Sequence, residues 1–253
     1  MAKFVANGNH DLEEKFFQAI FNRKFMPGGR YLYASGREIP QTTNCFLLSA
    51  NDSREGWGSL VDVSIQALTT GGGVGIEYTN IRGRGTPIKR YGGTASGPIS
   101  LMGMVNEVAR HVMAGGKRRS ALWAGLHWEH PDIEEFIKAK DWTTTVKAMK
   151  EQDFNYPAIL DMTNISVRLD NSFFKAYKKD EKLQDMYYRI CKSMCKTGEP
   201  GFSIDVGKGS KDILRNPCTE VVSSDNGDCC NLGSINLARI SGFNELEEIT
   251  RLA

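Results

Sequence analysis

Apolar residues recur along this chain with two spacings, one helical and one alternating. Within 11–25, Leu12, Phe16, Ile20 and Phe21 share one side of a 3.6-residue wheel, which predicts an amphipathic helix. Asp11 with Glu14 three residues on reads as its capping box. Leu60, Val61, Ile65 and Leu68 predict a second helix, ended by Gly71–Gly73. The strongest stripe, Ile99, Met102, Val105, Val108, Ala109, Val112 and Met113, predicts a third. A short helix is expected over 130–140, with Pro131 in the first turn, and further helices near 171–178 and 181–197, the last stopped by Gly198 and Pro200. Short or alternating apolar runs predict strands at NCFLLS (44–49), VGIEY (74–78), NISVRLD (164–170), GFSID (201–205) and SINLARI (234–240). FMPGGRYLYASG reads as a turn-rich connection, and 80–98 as a long Gly/Pro-punctuated loop of the kind that usually has a function. NELEEITRL begins a further helix. Strands alternating with helices predict an α/β fold with parallel pairing.

Composition narrows the partners. The 253 residues can bury a substantial core, and 40% hydrophobic with 25% charged residues is ordinary for a globular chain. A net charge of +2 gives no reason to expect nucleic acid or a membrane surface as partner. No apolar run approaches the roughly 18 residues of a membrane span, and the N-terminus lacks a signal-peptide core, so the cytoplasm is the expected compartment. Six cysteines are too few for a disulfide scaffold, and no C-x-x-C pair occurs, so no metal is expected.

Several stretches are candidates for chemistry. TTGGGVGIEY places its glycines between helix and strand, the reverse of a dinucleotide fingerprint, so they are expected to permit tight turns or close backbone approach. GGKRRS (115–120) suits either a nucleotide phosphate or base, or a solvated charge run. His127 and His130 with Glu134 have weak metal spacing, and His130 before Pro131 reads better as the start of a helix. Cys191 and Cys195, one helical turn apart, read as small buried hydrophobes. Asn216, Cys218 and Glu220 stand at i, i+2 and i+4, so in an extended loop a thiol, a carboxylate and an amide share one face. That suits a catalytic trio better than a metal shell, since an amide is a poor companion for thiolate metals. Spacing alone leaves both readings open.

At this point the sequence resembles a known family, the catalytic subunit of ribonucleotide reductases. NPCTE matches the finger-loop motif Asn-x-Cys-x-Glu, CNLGSINLARI the strand after it, and TNCFLL the strand with a partner cysteine. GGGVGIEYTNIRGRGTPI, GGTASGPIS, GGKRRSALW and HPDIEEFI follow in the family's order, so the likeness spans roughly 26–253. The resemblance implies a helical segment over 1–35 and, over 36–253, the first half of a ten-stranded α/β barrel with a central finger loop around 216–220. It implies thiyl-radical reduction of ribonucleotides to 2′-deoxyribonucleotides. Cys218 would carry the radical that takes the ribose 3′-hydrogen, Glu220 would be the base on the 3′-hydroxyl, and Asn216 would orient the sugar. Cys45 and Cys230 would supply two electrons and end as a disulfide. Cys229 then has no assigned role.

The same resemblance places Thr43, Asn44 and Gly73 at the substrate. It places Asp52, Ser53, Arg82 and Arg118 at a deoxynucleotide effector, with the 115–121 loop relaying effector identity. The wording is closest to the adenosylcobalamin-dependent class, with the oxygen-dependent class and its metallo-subunit as the alternative. An external dithiol reductant and a homodimer through the helices around 57–70 and 99–114 are expected. Because the later strands of the barrel are not in this chain, a split or truncated enzyme completed by a separate C-terminal chain is expected. A non-catalytic deoxynucleotide-binding fragment is the other reading.

Overall fold

The computed structural model describes residues 1–89, 92–113, 119–207 and 213–253. They form two compact units, residues 1–44 with 229–253, and residues 45–228. In chain order the first unit begins with α1 (Ala2–Ala6), α2 (His10–Phe21), β1 (Phe25–Pro27) and α3 (Gly29–Ala34). The second holds β2 (Cys45–Ser49), α4 (Arg54–Thr69), β3 (Gly73–Glu77), α5 (Pro98–His111), β4 (Leu122–His127), α6 (Ile133–Lys138) and α7 (Thr144–Gln152). It continues with β5 (Thr163–Asp170), α8 (Asn171–Tyr177), α9 (Glu181–Thr197), β6 (Gly201–Asp205), β7 (Leu214–Arg215) and β8 (Val222–Ser223). The chain closes with β9 (Asp228–Cys230), β10 (Gly233–Ile235), a 3₁₀ turn at Leu237–Arg239 and α10 (Phe243–Leu252).

In the smaller unit β1 and β10 pair antiparallel, Phe25 opposite Ile235. Ala19, Phe25 and Ile249 form its core, with Ile20, Ile240 and Leu252 against them. The cap of α2 differs from expectation. Asn9 Oδ1 accepts the Leu12 N–H at 3.0 Å, while Asp11, already inside the first turn, pairs with Lys15. The helix stops at Phe21, because Arg23 turns left-handed with φ 57°. The SINLARI strand is also shorter than expected. Asn236 caps the following 3₁₀ turn by accepting Ala238 N–H at 3.2 Å, which ends the extended run at Ile235.

In the larger unit β2 to β6 stand side by side in chain order, every neighbouring pair parallel. This is the α/β arrangement that the alternating pattern predicts. Val74, Ile76, Leu122, Ala124, Leu126, Ile165, Val167 and Leu169 all belong to the main core, packed with Leu68, Met102, Val105, Phe136, Phe173 and Ile190 of the helices. The intervening residues face the other side of the sheet and are small or polar: Cys45, Gly73, Gly75, Glu77, Gly125, Ser166, Arg168 and Ser203, with Leu47 and Trp123 as exceptions. Alternation with period two thus survives although both faces are buried. Among the described residues no helix is long and apolar enough to cross a membrane.

Candidate functional site

β7 and β8 form a narrow hairpin, Leu214 opposite Ser223 and Arg215 opposite Val222, with residues 216–221 as its tip. The tip is a turn and not the extended segment that the alternation of residues 216, 218 and 220 assumes. Thr219 adopts φ 69° and its N–H donates to the Asn216 carbonyl at 2.9 Å. The reversal separates the three side chains: Asn216 is fully buried, whereas Cys218 and Glu220 are exposed. Asn216 Oδ1 accepts the Val221 N–H at 3.1 Å, so this amide closes the loop that presents Cys218.

The hairpin rests on the glycines of β3. A Cβ built on Gly73 would stand 2.7 Å from Pro217 Cγ and 3.3 Å from Cys45 Sγ, so the residue before Cys218 and the Cys45 thiol converge over one position. Close backbone approach, one of the two expectations for TTGGGVGIEY, is what β3 provides. Cys45 is buried at the start of β2, opposite Gly73. Thr43, Asn44 and Cys230 belong to the smaller unit. There Asn44 N–H donates to the Cys230 carbonyl at 3.0 Å, and Asn44 Oδ1 accepts from Leu232 N–H at 3.2 Å. Cys230 is buried and its neighbour Cys229 exposed, as alternation along a strand requires.

A second concave site lies at the start of α4 and in the 80–98 loop, a cleft of about 1040 Å³. Asp52, Ser53, Trp57, Arg82, Lys89 and Met104 are among its lining. Arg82 Nε donates to Asp52 Oδ2 at 2.5 Å, so two of the expected effector residues meet on one wall. Ser53 Oγ caps α4 by accepting Gly56 N–H at 2.9 Å. Arg118 lies outside the described residues.

The two histidines act within the fold. His130 Nε2–H donates to the Ile81 carbonyl at 2.7 Å, leaving Nδ1 to accept Asp132 N–H at 3.0 Å. That turn delays α6 to Ile133, and the Asp132 carboxylate, which accepts Arg84 N–H at 2.8 Å, does not cap the helix. His127 Nε2 lies 3.2 Å from Asp170 Oδ2. Burial opposes ionisation of Asp170, but hydrogen bonds from Ser172, Phe173 N–H, Trp128 and His127 hold its carboxyl well below the usual range. Cys195, expected as a buried hydrophobe, is exposed in the last turn of α9; Cys191 is half-buried beside Tyr187. Sequence reasoning missed Gly75 as a seat for the hairpin and Trp57 and Lys89 as cleft lining. The Gly73–Gly75 alternation on one strand face was the available signal for the first.

Comparison with known proteins fits this geometry. A family model for the ribonucleotide reductase barrel domain matches residues 43–196. The vitamin B12-dependent ribonucleoside-diphosphate reductase of Mycobacterium tuberculosis is 29% identical over 95% of this chain and 37% of its own length. The ribonucleoside-diphosphate reductase subunit alpha of Mycoplasma pneumoniae is 24% identical over 99% of this chain and 42% of its own. The class Id ribonucleotide reductase alpha subunit of Actinobacillus ureae shares the fold, with a TM-score of 0.73 at 17% identity over 93% of this chain and 44% of that one. The chain thus spans about two fifths of the length of these relatives.

Proposed function

Because the chain belongs to the ribonucleotide reductase family, with its parallel sheet forming part of that family's barrel, we propose that it is the part of a catalytic subunit that carries the radical cysteine, the redox cysteine pair and the effector cleft. The observation that carries this reading is the convergence of the Pro217–Cys218 turn and Cys45 Sγ over Gly73. A thiyl at Cys218 takes the ribose 3′-hydrogen while Glu220 accepts the 3′-hydroxyl proton. Both side chains are exposed at the tip. The 2′-hydroxyl then leaves as water. Cys45 and Cys230 supply two electrons and two protons and become a disulfide, and Cys218 returns the hydrogen to the 3′-position and is a thiyl again. Asn44, which precedes Cys45, already holds the Cys230 carbonyl. Thr43, Asn44 and Gly73 contact the substrate, and an external dithiol resets the pair.

Relatives from Mycobacterium tuberculosis and Thermoplasma acidophilum are named vitamin B12-dependent. An exposed Cys218 at a loop tip fits a radical source that must reach its thiol from outside. Adenosylcobalamin would supply the initiating radical. Asp52, Ser53 and Arg82 hold a deoxynucleotide effector in the 1040 Å³ cleft, where Arg82 and Lys89 offer charge to its phosphates. The enzyme acts in the cytoplasm.

The test combines this chain with the polypeptide that completes the barrel, adenosylcobalamin, a dithiol and ribonucleotide. Deoxynucleotide should form, and Cys218→Ser should abolish it; product that survives this substitution would overturn the reading. Asp52→Ala should weaken deoxynucleotide binding by about tenfold, the loss of one charged contact, whereas Cys218→Ser should leave it unchanged. Binding without product in the completed enzyme would favour the non-catalytic module instead.

A further inference from the structure

The inner face of β3 is the floor of a slot. Gly75 lies in register between Leu47 of β2 and Trp123 of β4, both fully buried. Gly73 lies between Cys45 and the Ala121 methyl. Alternate residues of a strand share a face, so the two glycines leave a continuous bare strip between side-chain walls. The backbone of 215–216 and the Pro217 ring fill it. A Cβ on Gly75 would stand 2.0 Å from the Arg215 carbonyl oxygen and 2.8 Å from the Asn216 carbonyl carbon. Those are main-chain atoms, so no rotamer relieves the clash. Gly125, on the same face of the next strand, provides the contrast. A Cβ there would meet the Trp123 ring at 2.4 Å and Glu77 Oε2 at 2.7 Å, side chains only and none from the hairpin.

We propose that Gly75 is a positioning residue, and that the slot it forms with Gly73 sets the depth at which 215–217 seats and hence the height of the Cys218 turn over Cys45. The proposal rests on reading Cys218 and Cys45 as the reacting thiols, and adds the elements that fix their separation. Ordinary contact between heavy atoms is about 3.5 Å, so a methyl on Gly75 must lift the Arg215 carbonyl by more than about 1 Å. A misplacement of that size costs on the order of 100-fold in rate where reacting atoms must meet.

The experiment compares Gly75→Ala and Gly125→Ala in this chain. A short bis-alkylating thiol reagent is applied, and the Cys45–Cys218 bridge is quantified by peptide mass spectrometry beside the melting temperature. The unaltered chain should bridge. Gly75→Ala should cut the bridged fraction by about tenfold or more, and in the completed enzyme lower kcat by on the order of 100-fold with KM within about twofold. Gly125→Ala presses on the Trp123 ring, one wall of the slot, without meeting 215–217; it should lower Tm and reduce bridging less than Gly75→Ala does. If Gly75→Ala does not fold, Gly73→Ala serves, since its Cβ meets the movable ends of Pro217 and Cys45, and it should reduce bridging in a folded chain. No bridging in the unaltered chain, undiminished bridging in both slot variants, or equal loss in Gly125→Ala overturns the slot. Bridging that responds as expected, in an enzyme that makes no deoxynucleotide, would keep the slot and sink the reductase reading; product insensitive to Gly75→Ala would do the reverse.

Discussion

Asp170 shows how much one side chain can hold. It ends β5, caps α8 by accepting from Ser172 and Phe173 N–H at 3.0 and 3.1 Å, and receives Trp128 Nε1–H at 3.2 Å. Its folded pKa lies below the unfolded value, so the ionised form favours the fold. That stability is fully present above the ordinary carboxylate range and is lost as pH falls below about 4. Asp170→Asn keeps a capping oxygen but not the charge. It should cost about 1.5–3 kcal/mol at neutral pH, lower Tm by roughly 5 °C, and flatten the acid limb of a Tm-against-pH curve; an unchanged limb would remove Asp170 from that role. At this scale the sequence was legible where chemistry follows residue type. Asp52 and Arg82, matched to one site by the resemblance, do meet, whereas the hairpin turn parts Asn216 from Cys218 and Glu220, which the alternation had grouped. What could not be read was direction: a left-handed Thr219 inside the tip buries Asn216 and exposes the other two. A threonine carries no signal for positive φ.

Elements were legible in proportion to their apolar periodicity. The long stripe over 99–113 marks α5, which ends two residues earlier at His111 because Val112 is extended, and NISVRLD is β5. α7 has no buried residue, so no hydrophobic pattern announces it. LWAGLH, buried at every position, gives β4 no alternation of polarity to detect. The tie that holds α7 is electrostatic. Lys150 Nζ donates to Asp161 Oδ2 at 2.5 Å, Arg110 Nη1 of α5 donates to the same oxygen at 2.8 Å, and Asn106 Nδ2 donates to Oδ1 at 3.1 Å. Burial alone would raise the Asp161 pKa, but these donors hold it below the ordinary carboxylate range. Asp161 is a fully buried carboxylate between two largely buried cations. Asp161→Ala leaves Lys150 without a carboxylate and Arg110 with Glu107 alone, and should destabilise the unit by about 3 kcal/mol. Denaturant unfolding followed by circular dichroism would check it, and a loss under about 1 kcal/mol would place the pair among surface-like bridges.

At the scale of the whole molecule, α4 and α5 leave apolar side chains uncovered: Ile65 and Met104 are exposed by 40% and 52%. Two adjacent helices with such faces favour association with a second copy, because a two-fold contact buries the same patch twice. Met104 also lines the 1040 Å³ cleft, whereas Ile65 does not, so association and binding in the cleft can be separated. The chain is expected to sediment as a dimer, and Ile65→Glu, which buries an unpaired charge in that face, should weaken the dimer by at least about tenfold. If the partner copy closes the cleft, the same substitution also weakens deoxynucleotide binding, although Ile65 touches no part of it. Effector should in turn drive the remaining monomers together, since linkage between two binding equilibria is reciprocal. Sedimentation velocity with and without deoxynucleotide reads both effects at once. Deoxynucleotide binding with undiminished affinity to the Ile65→Glu monomer would show that one copy suffices for the cleft, and a monomeric unaltered chain would remove the α4–α5 face as a dimer contact.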